Sequence, residues 1–396
     1  MFTRVINEEY AVLHNANEIA RLGRRALIVT GKYSAKKNGS LLELQKVLSD
    51  TGTEYVIFDQ IEENPSVETI KQARDMGVSK GTDFCIGLGG GSPMDAAKAI
   101  AILLYHSEKD VNYLYEKPAS DEVDEYGHTL AYPVVAIPTT CGTGSEVTGV
   151  SVLTRHDLKT KKSLPHLVFP EVALLDPRYL MYAPHSVLKN TSIDTMSHLV
   201  ESYINNNATT ESKALVLEGL KLWSRGKDVI LGKRRVGYTK DEHIENVSDF
   251  VRRTQDPEKA EADKITDLKI LSDMLTASNI AGEAIAITGT SLPHALSYRL
   301  TYEAGIKHGP ATGIFQPGFM RFADEDTQKK LLKAMDFASL DEFKAFLGKT
   351  CDIKGLGDMQ YSLLVENSIK DILADPKRIE KVPYPVDREV LESIVS

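Results

Sequence analysis

Two short stretches, far apart in the chain, carry side chains with the chemistry of a transition-metal site. Asp194 and His198 are four residues apart, so on a helix the carboxylate and the imidazole share one face and can bind one cation together. An Asp-x-x-x-His pair by itself is more often a surface pair or a solvated cap. His294 and His308 offer two further imidazoles, which we expect in a helix and in the turn after it. One carboxylate and three imidazoles suit a divalent transition metal.

A second candidate site is the glycine-rich turn from Gly89 to Ser92, which follows an apolar run and precedes a helical pattern. Residues without a Cβ let backbone N–H groups approach an anion, and the N-terminus of the next helix adds partial positive charge. Pro93 suits the first helical turn. This context predicts a phosphate site rather than a plain turn. The turn lacks the Gly-x-Gly-x-x-Gly pattern, so the usual two-half Rossmann domain is not predicted.

Short apolar runs alternate with helical patterns in the first part of the chain. Strands are predicted at 26–30, 55–58, 83–88, 132–138 and 172–175, with helices at 40–48, 66–76 and 94–104. This alternation predicts an α/β fold with a doubly wound, mostly parallel sheet. The polar stretch 110–127 is interpreted as a surface loop, and 159–162 as a hairpin turn.

The strand signals stop near residue 180. Helices are predicted at 184–190, 194–204, 210–223, 263–280, 283–299 and 312–322. We therefore predict an α/β dinucleotide-binding domain at 1–180 and an all-helical metal-binding domain at 181–396, with the active site in the cleft between them. The charged segment 231–262 is expected to form a loop or a broken helix remote from the chemistry.

The composition argues against nucleic acid and membranes as partners. The chain has 396 residues, 26% of them charged, and a net charge of −9 without a long basic stripe. No run approaches the roughly 18 apolar residues of a membrane helix, and the start lacks the apolar core of a signal peptide. The three scattered cysteines fit neither a disulfide framework nor a cysteine-based zinc site. We expect a soluble cytoplasmic protein.

Taken in order, these residues resemble the iron-dependent (group III) alcohol dehydrogenase family. The four candidate metal ligands match the family's ligands in type and order, and the stretches 89–95 and 138–146 resemble its cofactor-binding signatures. The resemblance runs from about Ala26 to beyond Gln316. It implies a dehydroquinate synthase-like fold, a nicotinamide cofactor and a homodimer.

The resemblance also implies which residues contact the cofactor. Hydroxyl groups of the second signature would touch it, and a lysine in the hairpin would lie over it, with Lys162 the better match and Lys161 the alternative. A polar turn without a ligand is the other interpretation of the second signature. The implied set is Gly89, Gly90, Gly91, Ser92, Asp95, Thr139, Thr140, Thr143, Ser145 and Lys162.

For the chemistry, the resemblance implies that a metal acts on an alcohol or aldehyde oxygen while hydride moves to or from the nicotinamide. Many relatives carry a histidine four residues after the third ligand as a candidate proton relay, where this chain has Tyr298. A tyrosine passes a proton only weakly near neutral pH, so Tyr298 can instead form a wall of the alcohol pocket. Ser192 and Thr195 stand where relatives commonly have glycine and alanine, which changes the pocket shape and leaves ligation intact.

The stretch after the first predicted strand favours NADP(H) over NAD(H). NAD enzymes commonly carry an acidic residue there that binds the ribose 2′-hydroxyl, but this chain has Gly31. No carboxylate in that stretch would repel a 2′-phosphate, and Lys32, Ser34 and Lys36 offer donors. A solvated lysine-rich loop is the alternative interpretation.

We therefore expect an oxidoreductase acting on a small primary alcohol or diol, or on the aldehyde. Four protein ligands favour Fe(II) as the working metal over a catalytic zinc, which usually has three, although zinc binds more tightly. Neutral substrates such as butanol or 1,3-propanediol are favoured by apolar neighbours with few charges, namely Leu199, Ile287, Leu292 and Tyr298. The alternatives are a glycerol-dehydrogenase-like enzyme using NAD and zinc, or a catalytically silent nucleotide-binding protein. A dehydroquinate synthase is disfavoured, because it uses a carboxylate and two histidines.

Overall fold

A computed structural model describes residues 3–156, 160–237, 257–351, 353 and 356–396. The chain divides into two compact units. The first unit comprises Met1–Thr140 and Gly144–Ala183, and the second comprises Cys141–Thr143 and Pro184–Ser396. Three residues of the second predicted cofactor signature thus belong to the same unit as the metal-site residues.

A six-stranded sheet of parallel strands forms the centre of the first unit, in the order β1-β8-β5-β4-β2-β3. Its strands are β1 (Arg4–Asn7), β2 (Arg25–Gly31), β3 (Glu54–Ile61), β4 (Phe84–Gly89), β5 (Val134–Pro138) and β8 (Val172–Leu175). In β2, Leu27 and Val29 enter one apolar core, while Ala26 and Ile28 enter another. Strands that are apolar on both faces need helices on both faces. The doubly wound α/β prediction is confirmed.

Among the described residues, six α-helices belong to this unit, and the sequence predicts the last three of them. They are α1 (Ala11–His14), α2 (Ala16–Ala20), α3 (Ser34–Lys37), α4 (Ser40–Asp50), α5 (Val67–Lys80) and α6 (Gly91–Tyr105). The hydroxyl of Ser66 accepts a hydrogen bond from the backbone N–H of Thr69 and so caps α5, as its type and position predict. Helix α6 begins at Gly91 rather than near Met94, so the glycine turn runs directly into its first turn.

Three features of the first unit differ from the sequence predictions. Strand β1 was not predicted, because four residues with no fully buried side chain give no apolar pattern. The supposed loop 110–127 contains the 3-10 helix Val111–Tyr115, which buries Tyr113 and Leu114. The two lysines expected in a turn lie in β7 (Thr160–Ser163), which pairs with β6 (Val152–Arg155) in an antiparallel ribbon; residue 159 lies outside the described residues.

The second unit is helical throughout its described residues. Its helices are α7 (His185–Tyr203), α8 (Thr210–Ser224), α9 (Lys227–Ile230), α10 (Pro257–Thr288), α11 (Leu292–Ala304), α12 (His308–Gly313), α13 (Gln316–Met320), α14 (Glu325–Ala334), α15 (Leu340–Thr350), α16 (Asp358–Leu373), α17 (Pro376–Ile379) and α18 (Arg388–Val395). One apolar core runs through these helices from Ile193 to Ile394. This confirms the all-helical class.

Several predicted helix boundaries in the second unit are wrong. The segments 184–190 and 194–204 form one helix, α7, because the buried residues from Ser192 onward continue the helix past Thr191, whose hydroxyl donates to the carbonyl of Val187. The break predicted near residue 281 does not occur. Ile280 and Ala281 are buried, and packing of this kind overrides the low helix propensity of Gly282. Helix α10 instead runs to Thr288.

None of the described helices is both long and apolar enough to cross a membrane. Most of the charged segment 231–262 lies outside the described residues, at 238–256. Its described end, from Pro257, belongs to α10. The expectation of a loop or a broken helix stays a prediction for residues 238–256.

Candidate metal and cofactor sites

Helix α7 places the first two candidate ligands in the interior of the second unit. Every residue from Ser192 to Tyr203 is buried, so this part of the helix is surrounded by protein on all sides. Asp194 and His198 lie on one face of it, as their spacing of four predicts. Two polar side chains held in such surroundings require partners.

Three of the four candidate ligands, Asp194, His294 and His308, offer ligand atoms that all lie within 4.8 Å of one another, and His198 lies beside this group. The Oδ1 atom of Asp194 lies 3.6 Å from Nε2 of His294, 3.6 Å from Nε2 of His308 and 3.9 Å from Nε2 of His198. These distances are too long for hydrogen bonds. They approach the roughly 3.3–3.5 Å that separates atoms bound tetrahedrally at about 2.0–2.2 Å from one ion. The donor set therefore fits a single transition-metal ion.

One side of this set is open. The side chains of Asp194, His198 and His294 are 4–6% exposed, whereas that of His308 is 36% exposed. His308 is the first residue of α12 rather than part of a turn. Among the four candidate ligands, His308 is therefore the one most accessible to solvent.

Gly309 allows α12 to lie directly against α7. A Cβ built on Gly309 would lie 1.8 Å from the backbone oxygen of Asn190 and 3.2 Å from the backbone nitrogen of Asp194. Any side chain here would force the two helices apart and move His308 away from Asp194. The glycine after the fourth ligand is thus a packing requirement of the site.

Glu201 completes the site and was missed in the sequence. Its side chain is fully buried; Oε1 accepts hydrogen bonds from Nδ1 of His294 at 2.7 Å and from Nε2 of Gln316 at 2.8 Å. Its Oε2 accepts the backbone N–H of Ser291 at 2.6 Å. With Nδ1 of His294 donating to Glu201, Nε2 is left as the atom that faces Asp194. A carboxylate behind a metal-bound imidazole commonly fixes its orientation in this way.

The carboxylates and imidazoles of the site shift one another's pKa values. Burial tends to raise the pKa of Asp194, but the neighbouring imidazoles outweigh it and hold that pKa well below its usual value. Burial lowers the pKa of His198. Burial would also lower the pKa of His294, yet Glu201 and Asp194 outweigh it and raise that pKa to about 10.

Metal binding at pH 7 is therefore expected to release about one proton per ion, because His294 must give up its proton to become a ligand. Calorimetric titration of metal-free protein with Zn²⁺ in two buffers of different ionisation enthalpy measures this number. A value near zero at pH 7 would contradict this charge assignment.

The phosphate-site residues lie at one edge of the parallel sheet. Strands β2, β4 and β5 are neighbours, and their carboxyl ends bring Gly31, Gly89 and Thr139 to the same edge. The backbone N–H of Thr139 donates to the carbonyl of Gly89 at 2.8 Å. A Cβ on Gly90 would lie 3.2 Å from Oγ1 of Thr140. Ligands of α/β sheets bind at this edge, so the two signatures form one candidate cofactor surface.

Three members of the predicted cofactor set have partners within the protein. Ser92 accepts a hydrogen bond from the backbone N–H of Asn64. The hydroxyl of Ser145 donates to Oδ1 of Asp95 at 2.5 Å, and the other oxygen of Asp95 accepts the backbone N–H of Val152. Asp95 and Ser145 thus hold the loop after β5 against helix α6.

Lys98 binds this same cluster and was also missed. Its side chain is fully buried, and Nζ donates to Oγ of Ser145 at 2.9 Å, to the carbonyl of Val150 at 3.0 Å and to Oγ1 of Thr148 at 3.4 Å. The Asp95 carboxylate lies 3.8 Å away. Burial lowers the pKa of Lys98 to about 8 in spite of Asp95. A helical pattern gives no signal for such a lysine, since most lysines in helices are exposed.

The remaining predicted site residues are more exposed. The Nζ of Lys162 lies 5.9 Å from the ring centre of Tyr115. Lys36, in the short helix α3, forms an ion pair with Asp59 at 2.5 Å. A carboxylate therefore does lie beside the predicted 2′-phosphate donors, contributed by β3 rather than by the stretch after β2. Lys32 and Ser34 lie between β2 and Lys36.

The predicted substrate pocket is only partly supported. Leu199 and Leu292 are fully buried in the helical core, and Ile287 is 52% exposed. Tyr298 is 37% exposed, and the guanidinium of Arg378 lies 5.4 Å from its ring centre. The expectation of few charges is wrong near Tyr298, because α17 brings this arginine from a distant part of the sequence.

Comparison with known proteins agrees with this geometry. Residues 3–177 match the family "Iron-containing alcohol dehydrogenase", and residues 255–382 match "Fe-containing alcohol dehydrogenase family, C-terminal". A long-chain-alcohol dehydrogenase of Geobacillus thermodenitrificans is 27% identical, over 93% of this chain and 88% of that protein. An NADPH-dependent butanol dehydrogenase of Clostridium saccharobutylicum is 26% identical, over 80% and 72%.

A solved structure gives the same result. The iron-containing alcohol dehydrogenase of Thermotoga maritima shares a TM-score of 0.79 and 35% identity, over 100% of this chain and 97% of that one. The chain therefore belongs to the iron-containing alcohol dehydrogenases. It is an enzyme, an oxidoreductase of the alcohol dehydrogenase type.

Proposed function

We propose that this enzyme moves hydride between a small primary alcohol or diol, or its aldehyde, and NADP(H), using a metal ion held by Asp194, His198, His294 and His308. The convergence of three imidazole nitrogens on one buried carboxylate oxygen carries the proposal. A cytoplasmic homodimer stays a prediction from the sequence.

Different residues of the chain have different roles in this reaction. A divalent metal, when bound, polarises the oxygen of the alcohol or aldehyde. Glu201 holds His294 in the orientation that ligation needs, and the exposed side of His308 admits the substrate. The glycine turn and α6 bind the pyrophosphate of the cofactor, and Tyr298 lines the approach to the metal. The protein thus holds the reacting groups in position, and the nicotinamide donates or accepts the hydride.

Removal and return of the metal tests the proposal. We expect oxidation of butanol with NADP to disappear after chelation and to return when Fe(II) is added under anaerobic conditions. Zinc should bind readily and support slower turnover. Higher turnover with zinc than with Fe(II) would overturn the choice of metal. A lack of turnover with any alcohol or aldehyde would instead favour a silent nucleotide-binding protein.

The coenzyme preference gives a second test, based on Gly31. We expect kcat/KM for NADPH to exceed that for NADH by at least tenfold, because each charge-assisted contact to a 2′-phosphate contributes about 1.5–3 kcal/mol. Replacing Gly31 by aspartate should reverse the order. Initial rates with both coenzymes measure the effect.

Two control variants separate charge from space at this position. A Cβ on Gly31 would lie 3.3 Å from the carbonyl of Ile61, so Gly31→Ala measures the steric effect alone. Asp59→Asn releases Lys36 from its ion pair and should increase the preference for NADPH. Equal efficiencies of the two coenzymes with the unmodified enzyme would end the proposed preference.

A further inference from the structure

The segment Cys141–Thr143 is bonded to the helix that carries the first two metal ligands. The hydroxyl of Thr195 donates to the carbonyl of Cys141 at 3.0 Å and lies 3.4 Å from the carbonyl of Gly142. Thr195 is 1% exposed, so water cannot replace this donor. The bond therefore joins the segment to α7 at the residue immediately after Asp194.

The same contact is closely packed. A Cβ on Gly142 would lie 2.6 Å from Cβ of Thr191 and 2.9 Å from its backbone oxygen, so only glycine permits this approach. The sulfur of Cys141 lies 3.7 Å from the hydroxyls of both Thr191 and Ser192. The segment can hardly slide along α7 without losing these contacts.

The hydrogen bond donated by Thr195 lies next to residues that are proposed to bind the cofactor. Thr139 and Thr140 precede the segment and Ser145 follows it, and these residues are proposed to touch the cofactor. An alanine at position 195 could not donate a hydrogen bond. The bond from Thr195 to the segment Cys141–Thr143 therefore depends on the hydroxyl of this residue.

We propose that Thr195 is a positioning residue, which holds the segment Cys141–Thr143 of the second cofactor signature on the metal-binding helix and thereby supports hydride transfer. This role rests on the proposed function. A small displacement of reacting groups can cost up to about a hundredfold in rate. The loss of one such bond is thus expected to slow hydride transfer while metal binding is kept.

Three substitutions at one position test this role. Thr195→Ala and Thr195→Val remove the donor, and Thr195→Ser keeps it. In single-turnover reactions with NADPH and butyraldehyde, we expect the first two variants to transfer hydride about tenfold more slowly, consistent with a modest misplacement. The primary isotope effect with 4-deuterated NADPH should change, and Thr195→Ser should resemble the unmodified enzyme. Affinity for Zn²⁺, measured by calorimetry, should stay within about twofold, since no ligand is altered.

Thr350→Val is the matched control. Thr350 is equally buried, and its hydroxyl donates to the carbonyl of Phe346 in its own helix. This variant should lower the melting temperature without changing the isotope effect. A Thr195→Ala enzyme that shows only the thermal change of Thr350→Val would overturn the positioning role. An unmodified enzyme without any turnover would overturn the proposed function, and this role with it.

Discussion

Replacing Glu201 by leucine is expected to weaken metal binding by about ten- to a hundredfold, the usual effect of removing a carboxylate behind a metal-bound histidine. The side chain of His294 would lose the partner that orients its ring and assigns its proton to Nδ1. Glu201→Gln should have a smaller effect, because the amide oxygen can still accept that hydrogen bond. Calorimetric titration with Zn²⁺ gives the affinities, and turnover should fall in parallel at limiting metal.

The control for this experiment is Glu303→Gln in the same helix as His294. Glu303 is a half-exposed residue paired with Arg299 on the surface, so its loss should leave metal affinity unchanged. Removing Glu201 also frees the backbone N–H of Ser291 and the amide of Gln316. The melting temperature must therefore be recorded beside the affinity. Unchanged Zn²⁺ affinity in a folded Glu201→Leu protein would contradict the assigned role.

Replacing Lys98 by methionine is expected to destabilise the first unit by roughly 3–5 kcal/mol, as when one partner of a buried charged pair is removed. Ser145, Thr148 and Val150 would each lose a donor, and Asp95 would keep a buried charge without its cation. The melting temperature should fall by roughly 10 °C. Because the same cluster holds Ser145, NADPH affinity should also fall, which fluorescence titration measures.

The pH dependence identifies Lys98 specifically. Burial lowers its pKa to about 8 in the folded protein, whereas in the unfolded chain it titrates near 10.4. Between these values the unfolded state holds the extra proton, so the contribution of Lys98 to stability rises with pH. The stability difference between the unmodified protein and Lys98→Met should therefore grow from pH 8 to pH 10. The exposed Lys71→Met in α5 should show no such trend, and a flat difference for Lys98→Met would refute the assignment.

The fold class could be predicted from the sequence, whereas the roles of Glu201 and Lys98 could not. The α/β and all-helical classes follow from the hydrophobic periodicity, and the structure places an imidazole nitrogen of His198, His294 and His308 within 3.9 Å of the Asp194 carboxylate. Glu201 and Lys98 carry no such signal. Each is one charged residue in a helix, and only tertiary packing decides whether such a residue faces solvent or the interior.

The missed boundaries have a similar physical cause. Helix α7 continues through Thr191, and α10 through Gly282, because burial outweighs local propensity. The partner of Lys36 comes from β3 and the cation beside Tyr298 from α17. Both contacts join residues that are distant in sequence, so no local pattern could predict them.

The position of β1 at the edge of the sheet has a consequence for biosynthesis. Arg4 pairs with Val172 and Asn7 with Leu175, so β1 cannot pair until β8, which is synthesised much later, is available. Contacts so remote in sequence slow folding, and during that wait the unpaired edge of β8 is open to pairing with another nascent chain. Fusion of a bulky tag directly before Thr3 should therefore reduce the yield of folded protein more than the same tag placed after Ser396.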